Sequence, residues 1–273
     1  MVKVGFIKIG NLGTSIVVDL LLDERADREI DVRSVGTGAK MGTDEAPYAT
    51  KLMEWDPDVV IVISPNASLP GPKAARELTK DKPCIVISDL PAKKAKDELE
   101  EAGFGYIIMT GDPLIGARRE FLDPAEMALF NADVVKTLAI TGALRLVQEE
   151  IDGIVAQIKG GSEGGLTLPR IVATAGKVVE RADFSNPYAK AKAIAAYNLA
   201  EKVAEMNVQA CFIMKDKEKY IPMAAAAHEV MRAAAKMADE AREIEKSSDS
   251  VSRKPHAKTG DILSKVNLLD VPN

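Results

Sequence analysis

The sequence predicts an α/β protein: a Rossmann-like open parallel sheet followed by a helical bundle with a small accessory β-sheet. Three observations carry this expectation. Up to Gly111, apolar runs of five to eight residues alternate with helical stretches and turns. Runs such as DVVIVIS at 58–64 are apolar nearly throughout instead of alternating, as a parallel strand covered by helices on both faces must be. After Gly111 the pattern changes to long helices. The expected division is a Rossmann-like α/β domain at 1–121 and a helical bundle with short strands and a C-terminal tail at 122–273.

In chain order, strands are predicted near 2–9 (VKVGFIKI), 30–35, 58–63, 84–88 (CIVIS) and 105–109 (GYIIM). Helices are predicted between them near 14–23, 44–55, 72–80 and 92–102. DPAEMALF at 123–130 opens a long helix, with Asp123 as cap, Pro124 at the first helical position and Glu126 at the third. Asn186 and Pro187 play the same parts for a second, and a third is expected from Pro222 to about Lys246. Met223, Ala227, Val230, Ala234, Met237, Ala241 and Ile244 have helical spacing on it and need a partner. PRIVAT and VQACFIM are expected as short strands, GGSEGG as an exposed loop and EKSSDSVSRK as a polar segment before an apolar tail.

The 273 residues, 47% hydrophobic, suffice for a sizeable core, and the longest apolar runs fall far short of a membrane helix. With no signal-peptide pattern at the N-terminus, the expectation is a cytoplasmic protein without a membrane partner. A net charge of −5 with interspersed signs, and only 4% aromatics, argue against a nucleic-acid surface. Cys84 and Cys211 lie in apolar segments and are expected as buried thiols, and no metal site is expected.

GFIKIGNLGTS at 5–15 reads as a strand, a polar turn and a helix, the arrangement that holds a pyrophosphate in dinucleotide enzymes. Lys8, however, stands where the fingerprint's first glycine belongs, followed by Gly10 and Gly13. The acidic residue that would hold a ribose is also misplaced, since Asp31 begins the second strand and the far end reads VGTG. The loop is therefore Rossmann-like without being an adenine dinucleotide site. A plain strand-to-helix turn capped by Thr14 or Ser15 is the simpler alternative.

All five strand ends carry small or polar groups: KIGN (8–11), GTG (36–38), SPN (64–66), SDLP (88–91) and TGDP (110–113). In an open α/β sheet ligands bind outside the carboxyl ends of the strands, so five such ends predict a cleft. Lys8, Gly10, Asn11, Gly13, Gly36, Thr37, Gly38, Ser64, Pro65 and Asn66 are the candidate cofactor-binding residues. Lys8 beside a helix N-terminus would supply positive charge for an anionic tail. His228 among alanines reads as packing or interface, and His256 as a surface loop residue. RADRE (25–29) and GARREF (116–121) read as solvated charge or helix-terminal pairing. No nucleophile–base set and no P-loop can be assembled, which disfavours hydrolysis.

GFIKIGNLGTS, LLDERADRE, PNASLPGPKAARE, GARREFLDPAEMA, CFIMKDKEKYIP, AHEVMRAAAKMADEAREIEK and PHAKTGDILSK together resemble the coenzyme F420-dependent methylenetetrahydromethanopterin dehydrogenases of archaea over nearly the whole chain. Ile9, the SPNASLPGP segment and Leu90 depart from the family's usual residues. The resemblance implies reversible hydride transfer between a deazaflavin, coenzyme F420, and the methylene and methenyl forms of tetrahydromethanopterin. That coenzyme has a phosphate and glutamates in its tail but no adenosine, which suits a lysine in place of the first glycine. Hydride transfer needs two aligned carbons more than an acid–base triad. Asp89, Thr110 and Asp112 are then the candidate substrate-binding residues. Asp89 and Asp112 are the electrostatic candidates for favouring a methenyl cation. The resemblance also implies a homo-hexamer built as a trimer of dimers. A nicotinamide-dependent (NADP) one-carbon dehydrogenase and a non-catalytic deazaflavin-binding oligomer are the competing readings.

Overall fold

The computed structural model describes residues 1–24, 26–113, 123–161 and 165–273. Its sheet contains β1 (Val2–Lys8), β2 (Ile30–Gly36), β3 (Val59–Ser64), β4 (Cys84–Asp89), β5 (Gly105–Met109) and β6 (Arg170–Ala173) in the spatial order β2-β1-β3-β4-β5-β6. The pairings of β1 with β2 and β3, β3 with β4, and β4 with β5 are parallel. The β6 register advances in the same sense, from Tyr106 N–H to Pro169 O and from Thr110 N–H to Ala173 O. Every residue of β3, β4 and β5 is buried, which is why their sequences do not alternate. PRIVAT thus extends the main sheet. Beyond it, the accessory β pairing among the described residues consists of two isolated antiparallel bridges, Arg253 with Lys265 and His256 with Ile262.

The helices are α1 (Gly13–Leu22), α2 (Tyr48–Met53), α3 (Pro70–Glu77), α4 (Lys96–Glu101), α5 (Pro124–Thr141), α6 (Ala143–Lys159), α7 (Ala175–Ala182), α8 (Pro187–Val208) and α9 (Lys217–Ser247). The helix expected at 44–55 is split by Pro47 into a 3-10 turn at Thr43–Glu45 and α2. The one expected at 92–102 begins as a 3-10 turn at Leu90–Ala95. The described residues divide into two compact units, and residue 121, where the sequence places the domain boundary, lies outside them. The first comprises Met1–Met109, Val147–Val172 and Ala257–Asp261, and the second Thr110–Leu146, Ala173–His256 and Ile262–Asn273.

In the first unit, Ile7, Val60, Val62, Val86 and Ile108 of the sheet pack on Ala49 and Leu52 of α2, Ala75 of α3 and Leu99 of α4. Each large aliphatic side chain buried this way contributes about 1.5–3 kcal/mol. Of RADRE, Arg25 lies outside the described residues, and Arg28 takes the helix-terminal alternative and not the solvated one. Arg28 is buried and donates to Leu22 O, the last residue of α1, at 2.7 Å and to Asp152 Oδ1 at 2.5 Å. GARREF lies outside the described residues.

In the second unit, α5, α8 and α9 pack together through alanine-rich faces that permit close approach. Asp123 and Asn186 cap α5 and α8 as their sequences predict, accepting from Glu126 N–H at 2.9 Å and Tyr188 N–H at 2.9 Å. VQACFIM is not a strand. α8 runs on through Val208 and opens into a π-helical turn at Gln209–Ile213, since the segment continues a helix already capped and packed. α9 starts five residues before Pro222, because Asp216 caps it and accepts from Glu218 N–H at 3.1 Å. Its buried face is centred on Met231 and Ala238 as well as Ala227, Ala234 and Ala241, leaving Met223, Val230, Met237 and Ile244 half-buried at the margins. His256 is buried, not a surface residue, because its segment pairs with Ile262. His228 stacks on Phe130 with centroids 4.3 Å apart, and burial, opposed by Glu126 and Glu229, pulls its pKa down. Among the described residues no single helix is long and apolar enough to cross a membrane.

Candidate active site

The chain passes from β1 to β2 on one side and then returns to β3 on the other, so the strand order reverses between β1 and β3. An open α/β sheet splays apart at such a reversal and leaves a crevice beyond the carboxyl ends of the two strands. The residues at that crevice are KIGN and SPN. Backbone bonds draw the ends together: Ile9 N–H donates to Ile63 O at 2.8 Å, and Thr37 N–H, after β2, donates to Lys8 O at 3.0 Å. Gly10 N–H reaches Thr37 Oγ1 at 3.3 Å, and that hydroxyl donates to Lys40 O at 2.6 Å.

Gly10 is left-handed, with φ of 85°, and a Cβ there would lie 2.6 Å from Met41 Sδ and 2.9 Å from Pro65 Cδ. The turn therefore brings the backbone after β1 against both the 41–42 segment and the end of β3. Neither Thr14 nor Ser15 stands at the N-cap of α1. Leu12 does, and Ser15 serves from three residues on, accepting from Leu12 N–H at 2.8 Å and donating to Leu12 O at 2.7 Å. Lys8 is mostly buried and its ammonium lies 2.8 Å from Asp19 Oδ1 on α1. Lys8 thus already has an ion-pair partner on the helix it flanks, which the sequence reading of Lys8 did not foresee.

Ser64, at the end of β3, is fully buried, and its hydroxyl has no hydrogen-bond partner among the described residues. Beside it, Ser88 donates to Ser64 O at 2.7 Å and accepts from Ala67 N–H at 3.0 Å. Asn66 folds over the loop, its Oδ1 accepting from Ser68 N–H at 3.1 Å and Ser68 Oγ at 2.6 Å. Asp89 is buried at the end of β4, where Oδ1 accepts from Leu90 N–H at 2.6 Å. Asn11 and Gly13 lie in the turn into α1, and Gly36 and Gly38 flank Thr37 on the exposed side. Four of the five predicted strand ends thus meet in the first unit.

The fifth, at 110–113, belongs to the second unit. Thr110 and Asp112 are buried there. The Thr110 hydroxyl lies 2.9 Å from Ala173 O and within hydrogen-bond distance of Glu201 on α8. Tyr197, one turn before Glu201, donates to Ala173 O at 2.8 Å and accepts from Gly111 N–H at 3.2 Å. Burial pushes the Tyr197 phenol far up; Glu201 and Asp112 push the same way, against hydrogen bonds from Thr110 and Gly111. It stays a neutral donor at any working pH. Replacing Tyr197 with Phe leaves the Gly111 N–H without that acceptor and is expected to cost about 1–3 kcal/mol. Urea unfolding measures it, and an unchanged midpoint would show that the hydroxyl does not hold this turn.

The sequence reading missed Asp19, Met41, Arg76, Tyr197 and Glu201. A tyrosine in the middle of an alanine-rich helix with a carboxylate four residues on, both on one face, was the available signal for the last two. Among the described residues no group of three or more His, Cys, Asp and Glu is arranged to hold a metal ion. Cys84 is buried, with its thiol pushed up to about 12 by burial, and Cys211 is half-buried.

A family model described as methylene-5,6,7,8-tetrahydromethanopterin dehydrogenase matches residues 2–273. The chain is 65% identical over 273 residues to the F420-dependent methylenetetrahydromethanopterin dehydrogenase of Archaeoglobus fulgidus, covering 100% of this chain and 99% of that protein. It is 56% identical over 277 residues to the enzyme of the same name from Methanocaldococcus jannaschii, with the same coverage. A solved F420-dependent methylene-tetrahydromethanopterin dehydrogenase, in complex with methylene-tetrahydromethanopterin and coenzyme F420, matches the fold with a TM-score of 0.94 at 48% identity, covering 100% of both chains. Such identity across the full length goes well beyond a shared fold, and the chain belongs to the methylene-5,6,7,8-tetrahydromethanopterin dehydrogenase family.

Proposed function

We propose that the chain catalyses reversible hydride transfer between methylene-tetrahydromethanopterin and coenzyme F420, interconverting the methylene and methenyl forms of the pterin. The observation that carries this is the 65% identity, end to end, with a relative of that named activity. The first unit fits such a coenzyme. The end of β2 offers Gly36, Thr37 and Gly38 and no acid for a ribose, Gly38 has nothing within 4 Å of a Cβ position, and the buried Ser64 hydroxyl has no hydrogen-bond partner among the described residues. Lys8, Gly10, Asn11 and Gly13 at the start of α1, with Gly36, Thr37, Gly38, Ser64, Pro65 and Asn66, are the residues proposed to hold it. When bound, the deazaflavin supplies the hydride acceptor, which also takes up one proton.

The chain's own work is positional. Loops fixed by buried hydrogen bonds keep the reacting carbons aligned without reorganisation at the moment of transfer. Asp89, Thr110 and Asp112 are proposed to face the pterin, with Asp89 and Asp112 favouring the methenyl cation electrostatically. Replacing either aspartate with Asn is expected to lower kcat about 10–100-fold with a smaller change in KM. Steady-state kinetics decides it, and unchanged turnover in both variants removes the role.

An anaerobic assay with methylene-tetrahydromethanopterin, following loss of deazaflavin absorbance with NADP as the parallel acceptor, tests the activity itself. Bleaching of coenzyme F420 alone is the expected result. Reduction of NADP instead, or silence in both lanes from folded protein, overturns it. The same reading makes the protein a cytoplasmic homo-hexamer, a trimer of dimers. In favour of assembly, Leu129, Tyr188, Phe212 and Ile213 of the second unit are exposed apolar side chains. Sedimentation at the mass of a single 29.3 kDa chain would refute it.

A further inference from the structure

We propose that Arg76 is a positioning residue for coenzyme binding, acting through the loop after β3, with Ser88 as its counterpart from β4. This rests on the reading that Ser64, Pro65 and Asn66 line the coenzyme site. Ala67, the next residue, is fully buried, and both of its backbone polar groups are taken by side chains. Ser88 accepts its N–H at 3.0 Å, and Arg76 Nη1 donates to its carbonyl at 2.5 Å. Ser88 also donates to Ser64 O, so a single hydroxyl ties the two ends of the loop together. The loop conformation is thus dictated from α3 and β4.

Arg76 is 1% exposed. A buried guanidinium is expensive to desolvate, and an apolar residue at this place on α3 would avoid that cost. What it gains is the fork: Nη1 on the loop and Nη2 on Glu98 Oε1 of α4 at 2.5 Å, with Lys73 on the same carboxylate oxygen at 3.0 Å. The two acceptors lie at separate tips of one planar group, so a lysine can satisfy only one of them. One side chain thus ties α3, α4 and the loop together, and Ser88 adds the sheet. A loop fixed before binding forgoes the ordering cost on association, so the effect falls on affinity for the coenzyme.

The test uses Arg76→Lys and Ser88→Ala in the intact enzyme, with Asn66→Ala as the reference for the loop. Two readouts are taken: amide hydrogen exchange at residues 65–69 without ligand, and the Kd of coenzyme F420 from quenching of its fluorescence. Both variants are expected to exchange about tenfold faster in the loop and to bind about five- to tenfold more weakly, with the pterin KM within about twofold. Faster exchange with an unchanged Kd shows a merely structural arginine and overturns the inference. Weaker binding without faster exchange places the effect outside the loop and overturns it equally. If Asn66→Ala alone weakens binding, the inference falls while the site reading stands. If none of the three does, the site reading falls and the inference with it. Ser88→Ala removes one oxygen and carries the test should Arg76→Lys fail to fold.

Discussion

Alanine at position 71 is expected to destabilise the first unit by about 3–5 kcal/mol and to weaken coenzyme binding with it. Gly71 is the second residue of α3, and a Cβ built there would stand 2.1 Å from Met41 O, 2.5 Å from Gly42 O and 2.8 Å from Gly42 C. All three are backbone atoms, so no rotamer change relieves the clash. Either α3 or the 41–42 segment must retreat. The same segment lies against Gly10, and the same helix carries Arg76, so the displacement reaches the β1 and β3 ends together. Gly10→Ala is expected to do less. Its nearest contacts, at 2.6 and 2.7 Å, are to the Met41 side chain, which can swing away, leaving the left-handed backbone penalty of about 1–2 kcal/mol and the Pro65 contact. Urea unfolding and a coenzyme titration of both variants decide the order. A Gly71→Ala protein as stable as the parent would mean that the 41–42 segment yields freely and does not brace the crevice.

The contrast between those two glycines shows what the sequence could and could not say. Gly10 was legible because a glycine two residues past an apolar strand has few other uses. Gly71 carried no such signal, because its neighbour Met41 is thirty residues away and nothing local announces the contact. The strands of the sheet were legible for a physical reason: β3, β4 and β5 are buried on both faces, so their apolar runs have only one good reading. VQACFIM carries equally strand-like side chains, but it continues a helix already packed along its length, and tertiary context overrode the local preference. Lys8 was visible as a charge out of place, whereas its partner Asp19 was hidden, because only the direction of α1 brings residue 19 back over residue 8. Arg76 was hidden for the same reason, since its acceptors Ala67 O and Glu98 are brought to it only by the fold.

Glu245→Gln is expected to lower stability near neutral pH by about 1–3 kcal/mol and to flatten the loss of stability in acid. Glu245 sits in the last turn of α9, where a negative charge meets the unfavourable end of the helix dipole, yet it is 2% exposed. Its hydrogen bonds account for that. Oε1 accepts from Asn186 N–H at 2.7 Å, and Oε2 accepts from Ser185 Oγ at 2.8 Å and Ser250 Oγ at 2.6 Å. One carboxylate thus joins the start of α8 to the segment that follows α9. Burial pulls its pKa upward, but the bonds from Ser250, the Asn186 N–H and Ser185 outweigh it and leave the carboxyl below its usual value. A folded-state pKa below the unfolded one adds stability that is complete above about pH 4.3 and is lost as pH falls through the folded value. The parent should therefore lose stability faster than Glu245→Gln as pH falls from about 4.3 through the folded pKa, because glutamine has no proton to take up. Glu245→Ala, which leaves the Asn186 N–H without its acceptor, should cost more at every pH, about 3 kcal/mol. Urea midpoints of parent and both variants from neutral pH into acid provide the measurement. Parallel curves for the parent and Glu245→Gln across that range would mean that the charge on this carboxylate contributes nothing to joining the two helices.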